Sequence, residues 1–340
     1  MPKKEKKKSW KERQRERQIK QQRAQEAKKI QREREAKRKP RQWPKGKILA
    51  AVCLLVLIFG AYGIWQYTKP SAPSDETPLQ IPTSEIIYIR PDGQVTPSKA
   101  PILNVGNSHY TFTADIYNSI VIYRDNIVID GANHVLQGIG SYGSIGIDLT
   151  GRRNVTIANT KIQGFDYGVY LNSASHNVLS QNELTNNYYG IWLVVSSNNN
   201  IISGNTITNN EKCGIWLKDS SNNKLSENKI TLHGNYTIYI RSSNNITVSA
   251  NYITNNNMGI FLFEASNNIV YHNNFIDNIE PVYNSASTNV WDNGYPSGGN
   301  YWSDYEERYP DAKELDSSGM WNTPYVLDEN NQDNYPLINR

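Results

Sequence analysis

Asparagine returns at one fixed interval through most of the second half of the chain, and this constrains the fold more than any other feature. Asn154, Asn177, Asn200, Asn223, Asn245 and Asn268 are separated by 23, 23, 23, 22 and 23 residues. A second series, Asn159, Asn182, Asn205, Asn228, Asn251 and Asn274, keeps a spacing of 23 throughout. A third mark shares the period: Gly-[Ile/Val]-x-Leu begins at Gly146, Gly168, Gly190, Gly214 and Gly259, and Thr237-Ile238-Tyr239-Ile240 holds the same phase without the glycine. Of 42 asparagines, 30 lie between Arg153 and Asn289, which argues against helix because Asn favours turns. Short alternating stretches at this period predict an all-β parallel solenoid, one coil per repeat. Each coil rises by about 4.8 Å, the spacing of paired strands. Stacked Asn side chains can then bond amide to amide along the axis. Leucine-rich repeats have a similar period but require Leu-x-x-Leu-x-Leu and a helical or 3₁₀ side, and neither is present.

The spacing predicts about seven coils over residues 125–289, after an irregular N-terminal opening coil or cap at 85–124. The apolar second and fourth positions of Gly-[Ile/Val]-x-Leu point inward, as do those of Asn154-Val155-Thr156-Ile157 and its relatives. Residues 290–340 break the repeat and carry Trp291, Trp302 and Trp321 with several tyrosines, so they read as an aromatic C-terminal cap over an otherwise open end.

Before residue 85 the chain is different. Residues 1–47 hold 21 Lys and Arg against 6 Glu, a net of +15, while residues 48–340 carry a net of −11. Ile48 to Trp65 is uncharged, and with Gln66 and Tyr67 it reaches the roughly 20 residues a membrane-crossing helix needs. The long preceding segment favours an uncleaved signal-anchor over a cleaved signal peptide. The positive-inside tendency then puts residues 1–47 in the cytoplasm and the C-terminal domain outside. Residues 1–47 read as a basic, helical cytoplasmic arm, 48–67 as a single transmembrane helix and 68–84 as a Pro/Ser-rich tether. Membrane lipid is the expected partner of residues 48–67 and the arm. No aromatic or glycine pattern supports specific nucleic-acid binding. Two cysteines, Cys53 and Cys213, exclude a disulfide scaffold.

Several stretches carry a family resemblance: Ile87-Tyr-Ile-Arg-Pro-Asp-Gly93, Asp125-Asn-Ile-Val-Ile-Asp-Gly131, Tyr271-His-Asn-Asn-Phe275, Asn289 to Tyr305, and Thr323 to Leu337. With them the chain resembles the NosD-like, or CASH-domain, right-handed parallel β-helix proteins, more closely the archaeal surface proteins of that group. The resemblance covers about three quarters of the chain. It implies a right-handed winding and a link to carbohydrate, and much less about any reaction. The family often carries an acidic Asp-x-Asp-Gly-Asp-Gly turn where this chain has Asp311 to Asn322. The strict spacing is gone, so a metal-free cap is expected, with Asp311, Glu314 and Asp316 the remaining calcium candidates. Copper is suggested by the NosD name alone. His109, His134, His176, His233 and His272 fall in different phases of the repeat, and Met258 and Cys213 do not join them.

The third position of Gly-[Ile/Val]-x-Leu faces outward. After Asp148 it reads Tyr170, Trp192, Trp216, Tyr239, Phe261 and, in phase, Tyr283, a stripe about 24 Å long. Such rings stack on the apolar faces of sugars, or on each other to favour strand pairing. Lys218 and Arg241 share a phase nearby, with Asp219 and Glu264 one position further. These four are also the candidates for catalysis: Asp219 and Glu264, two coils or roughly 9.6 Å apart, as an inverting carboxyl pair, and Lys218 or Arg241 as a lyase base. Three readings follow. The favoured one is recognition of a polysaccharide or glycoprotein glycan; the others are a lyase or glycoside hydrolase and a passive surface spacer. No cofactor is expected beyond the calcium candidates. Three sequons, at Asn154, Asn235 and Asn245, suit an external domain, although two of them coincide with the Asn series.

Overall fold

The computed structural model describes residues 85–340. The expected arm, transmembrane helix and tether lie outside the described residues. Among the described residues no helix is long and apolar enough to cross a membrane.

Three parallel sheets of ten, nine and eight strands run along the molecule, with a two-stranded ribbon in the cap. In one representative coil, Val178–Ser180 lies in the nine-stranded sheet, Glu183–Thr185 in the eight-stranded sheet and Tyr189–Val194 in the ten-stranded sheet. The winding makes about eight turns. They comprise the seven of the repeat and an opening coil whose Ile87–Ile89 strand pairs in parallel with Ile120–Ile122. An antiparallel hairpin, Ile102–Val105 with His109–Phe112, closes the nine-stranded sheet at its N-terminal edge. The sole α-helix among the described residues is the four-residue turn Tyr305–Arg308 in the cap.

Register places like above like. Leu179 sits on Ile202, Leu184 on Ile207 and Ile191 on Ile215. All six are fully buried, and each contributes about 1.5–3 kcal/mol of apolar burial. The glycine of the ten-stranded sheet answers to a contact between coils. A Cβ on Gly190 would stand 2.5 Å from the Gly214 carbonyl oxygen, and one on Gly168 2.6 Å from that of Gly190. At Gly168 and Gly190 a side chain would force the next coil's carbonyl to move, whereas Thr237 and Pro281 hold the aligned position on later coils.

Each coil turns three corners, and buried side chains stacked along the axis satisfy the backbone there. At the corner between the nine- and eight-stranded sheets, Asn182, Asn205, Asn228, Asn251, Asn273 and Asn300 form an unbroken column. Asn205 Nδ2 donates to Asn228 Oδ1 at 3.0 Å, and the same oxygen accepts the Asn205 backbone N–H at 3.0 Å. Asn228 Nδ2 donates onward to Asn251 Oδ1 at 3.0 Å and back to the Ile202 carbonyl at 2.9 Å. The corner leading into the nine-stranded sheet holds Asn177, Asn200 and Asn223, then Asn268 and Asn289. Ile246 interrupts this column, although its N–H still donates to Asn268 Oδ1 at 2.8 Å.

The two columns correct the membership of the Asn series. Asn154, Asn159 and Asn245 are not in the buried ladders. They lie one residue outside, with left-handed φ of 55°, 49° and 54°, a conformation Asn accepts more readily than most residues. Asn154 donates to Asn126 at 2.8 Å and Asn245 to Asn222 at 3.3 Å, so an outer row of amides follows the inner one. Thr160 takes the ladder place expected for Asn159, and Asn273 that expected for Asn274. From Thr160 to Asn273 the coils run 22, 23, 23, 23 and 22 residues, so a constant spacing of 23 drifts off the column. The sequon residues Asn154, Asn235 and Asn245 are therefore exposed, and the expected competition with the fold does not arise.

The third corner, before the ten-stranded sheet, carries a ladder that the repeat count missed: Asn187, Asn210, His233, Asn256 and Asn278. His233 replaces an Asn. Its Nδ1 accepts from the Asn210 N–H at 3.3 Å and its Nε2 lies 3.2 Å from the Ile207 carbonyl, which assigns the proton to Nε2. Burial lowers this imidazole to about 4. At the C-terminal end the cap supplies the last rung of two ladders. Asn331 Oδ1 accepts the Asn289 N–H at 2.9 Å, and Asp333 Oδ2 accepts the Asn300 N–H at 2.7 Å and Trp302 Nε1 at 2.9 Å. Trp302 is stacked between Phe275 at 4.3 Å and Tyr325 at 4.1 Å, which seals the core. Burial raises the Asp333 carboxyl to about 7.

Asn228→Ala removes an acceptor from two buried donors and is expected to cost about 3 kcal/mol in denaturant unfolding. Asn245→Ala, in the outer row, should stay within about 0.5 kcal/mol; equal costs for the two would refute the ladder account. His233 must stay neutral in the fold while the unfolded chain binds a proton below the usual imidazole range. Its contribution is thus complete above pH 6.5 and is lost as pH falls to about 4. Relative to His233→Asn, the native chain should lose roughly 3 kcal/mol across that window. The comparison is made between these two proteins because Asp333 acts in the opposite sense, favouring the fold less as pH rises towards 7.

Candidate functional site

The outer face of the ten-stranded sheet carries the aromatic residues in a row. Tyr170 pairs in register with Trp192, Trp192 with Trp216, Trp216 with Tyr239, Tyr239 with Phe261 and Phe261 with Tyr283. The rings are not oriented alike along this row. From Trp216 onward they lie face to face, at centroid distances of 4.0, 4.9 and 4.9 Å. Their faces are covered by each other, and Tyr239 is buried. Towards the N-terminal end the stack opens. Trp192 is tilted 42° to Trp216 at 5.7 Å, and Tyr170 stands at 86° to Trp192.

A second outward row begins each of these strands: Tyr167, Tyr189, Cys213 and Tyr236, aligned by register. Tyr167 and Tyr189 stack at 5.4 Å, and Trp192 leans against both at 4.7 and 4.5 Å. Strict alternation outward from Gly-[Ile/Val]-x-Leu would point this first position inward. The alternation breaks at the second position, at Thr237 as at the glycines, so the tyrosines at the first position share the outer face with the fourth. Burial raises the Tyr189 hydroxyl well above the usual phenol range and the Tyr167 hydroxyl above it. Both therefore stay neutral and can donate or accept. Cys213 is fully buried, its Sγ directed at the Ile215 carbonyl at 3.3 Å.

Where the two rows part, a cavity of about 910 Å³ opens over successive coils. Tyr142, Phe165, Tyr167, Tyr188, Tyr189 and Trp192 supply its rings, and Asp166 and Glu211 its charge. Its size is at the upper end of ordinary ligand pockets. Apart from Trp192, the cavity shares none of the stripe residues named from sequence. Tyr188 crosses Tyr189 edge to face at 4.9 Å and is exposed, and Tyr142 lies on an exposed loop between Gly140 and Gly143. The Nε1 atoms of Trp192 and Trp216 are enclosed without a partner.

The remaining candidates lie at the far edge of the same face, away from the cavity lining. Asp219 and Glu264 share a row of left-handed turn residues with Ser242 between them, as their spacing predicts. Lys218 Nζ is 4.0 Å from Asp219 Oδ2, and Ser242 Oγ is 3.4 Å from Glu264 Oε2. Arg241 neighbours Lys218 in register and lies over the Phe263 ring at 5.5 Å. None of the four lines the aromatic cavity. In the cap, Glu314 Oε1 accepts the Gly319 N–H at 3.0 Å and Asp316 Oδ2 accepts from Tyr295 at 3.3 Å. With Asp311 they form no metal-holding group of three among the described residues.

The donors that copper would need do not converge either. His233 has both nitrogens turned to backbone groups, His272 Nε2 faces the Ser297 carbonyl at 2.8 Å, and His134 pairs with Asp115 at 3.4 Å. Cys213 is sealed in the wall, and no group of three His, Cys, Asp or Glu side chains is gathered among the described residues. The described part of the chain thus does not fit a copper centre.

No curated protein matches the chain. Among solved structures it is similar to the periplasmic alginate epimerase AlgG, with a TM-score of 0.44 and 20% identity over 52% of this chain and 50% of that one. It is also similar to tailspike protein 2 of bacteriophage CBA120, with a TM-score of 0.43 and 14% identity over 54% and 36% of the two chains. Pectate lyase Pel9A aligns with a TM-score of 0.32 and 14% identity over 62% and 74%. The chain spans about half the length of the epimerase it matches. The family model described as "Periplasmic copper-binding protein (NosD)" matches residues 105–307, well over half of the sequence. With that match and the parallel β-helix beneath it, the chain belongs to the NosD family.

Proposed function

We propose that this is a carbohydrate-binding β-helix, held at a cell surface by the apolar segment 48–67 with its C-terminal domain outside. In this reading a polysaccharide or glycoprotein glycan lies in the aromatic cavity and along the open end of the stripe. The observation that carries the proposal is the cavity of about 910 Å³, with outward tyrosines and Trp192 beside carboxylates. Ring faces there can take the apolar face of a sugar, while neutral phenols and carboxylates bond its hydroxyls. The family's association with carbohydrate agrees with this chemistry. Binding is preferred to cleavage because the catalytic candidates Asp219, Glu264, Lys218 and Arg241 stand at the opposite edge from the cavity.

The face-to-face stack from Trp216 to Tyr283 supports a second, structural role for that half of the stripe. Stacked rings tie successive coils together across the parallel ladder. The binding function is accordingly concentrated at Trp192 and its neighbours, and Tyr239 and Phe261 belong to the scaffold.

A glycan array with residues 80–340, the compact unit, tests the proposal. Tyr188→Ala combined with Trp192→Ala should weaken the bound glycan about tenfold or more with an unchanged far-ultraviolet dichroism spectrum. Retained affinity in that variant would defeat the cavity as the site, and release of reducing sugar or unsaturated uronate would restore the enzymatic reading. Tyr239→Ala should do the reverse: it should cost about 3 kcal/mol of stability and leave glycan affinity intact.

A further inference from the structure

The charge around the aromatic cavity is of one sign. Asp166 and Glu211 are the only charged residues that line it. Asp166 is 8% exposed, and its Oδ2 accepts the Gly143 N–H at 2.8 Å. Its Oδ1 accepts no hydrogen bond from the described residues and is not enclosed, so it is open to a donor from the cavity. Such a group gains most from a donor that arrives with a ligand. Glu211 is exposed and its carboxylate has no partner among the described residues. The adjacent cation, Lys212, does not line the cavity: its ammonium is 5.9 Å from the ring centroid of Tyr236, on the next coil. The cavity is thus a cage of rings with two unpaired carboxylates. Ring faces attract cations as well as the apolar faces of sugars.

The cavity draws on four successive coils, from Gly140 through Asp166 and Tyr189 to Glu211, or about 14 Å along the axis. That is longer than one sugar ring, and it favours a polymer over a small ammonium compound.

We infer that the cavity takes an amino-sugar polysaccharide with free, protonated amines. Asp166 and Glu211 accept N–H bonds from the ammonium groups, while Tyr188, Tyr189 and Trp192 hold the sugar rings. The inference rests on the glycan-binding reading above and narrows it to a substrate class. It excludes uronate polymers, whose carboxylates would meet Asp166 and Glu211 with like charge and no compensating cation.

Calorimetric titration of the full-length protein separates the possibilities. The probes are hexaglucosamine, its fully N-acetylated counterpart, hexagalacturonate and choline. Hexaglucosamine should bind about tenfold tighter than the acetylated hexamer, because a bond to a charged group is stronger than one to a neutral amide. Glu211→Gln, an exposed substitution that leaves the fold intact, should remove that advantage, weakening hexaglucosamine by about tenfold more than the acetylated hexamer. Asp166→Asn, which keeps an oxygen for the Gly143 N–H, should act in the same direction. Equal affinity for the two hexamers, unmoved by Glu211→Gln, would overturn the amino-sugar class and leave the glycan reading standing. Stronger binding of hexagalacturonate would overturn it likewise. Choline bound as tightly as hexaglucosamine would make the site an ammonium cage and not a polysaccharide groove. Failure of every saccharide would remove both readings.

Discussion

Everything in this fold depends on the buried amide ladders at its corners. A chain that turns three times per coil must bury backbone N–H groups at every turn, and each left unpaired costs 1–3 kcal/mol or so. An Asn side chain solves this twice over, since its oxygen accepts from the coil before while its nitrogen donates to the coil after. In the Asn182 to Asn300 column the same two bonds recur without interruption, and every member is buried. The device needs a correct neighbour on each side, so it is cooperative along the axis. It also tolerates substitutes that keep one oxygen or nitrogen in place, such as His233 or the terminal Asp333. The cap ends the ladders with matching acceptors and covers the last core layer with Trp302 and Tyr325.

A scaffold locked in this way frees its outer faces from any stabilising duty except where rings stack. On the ten-stranded sheet the glycine position lets neighbouring coils approach closely, and a break in the alternation there brings the tyrosines at the start of the strands onto the same face as the stripe. Half of the resulting aromatic surface is spent on contacts between coils. The other half is pulled open near Tyr167, Tyr189 and Trp192, where the loop bearing Tyr142 and the corner residues Asp166 and Glu211 come alongside. In the proposed reading, recognition and stability divide one continuous stripe between them. The division falls near Trp192: beyond it Trp216 to Tyr283 stack along the row, and before it Trp192 leans on the Tyr167–Tyr189 stack beside the exposed Tyr142 and Tyr188.

Most of the architecture was legible before any coordinates. A period near 23 in three separate marks implied stacked parallel strands, and the inward Ile, Val and Leu positions followed from alternation. The Asn series showed that amides stack, yet it misplaced Asn154, Asn159, Asn245 and Asn274. Tandem Asn pairs and coils of two lengths let a constant spacing slide between the buried column and the exposed row beside it. The third ladder was hidden because His233 stands within it. In the site, Tyr170 to Tyr283 were correctly placed in one row. Tyr188, Tyr189, Asp166 and Glu211 were passed over, because they flank the glycine or precede the strand.

By itself the sequence determined the solenoid, its period, its core columns and the aromatic register, since each is a repeat of short-range pattern read along the chain. Tertiary structure alone decided which rings spend their faces on each other and which leave them free. It also decided that two carboxylates from different coils share one hollow with Tyr142 and Trp192. Those outcomes turn on ring tilt and on the meeting of a loop with a corner two or three coils away. Neither is encoded in any single repeat.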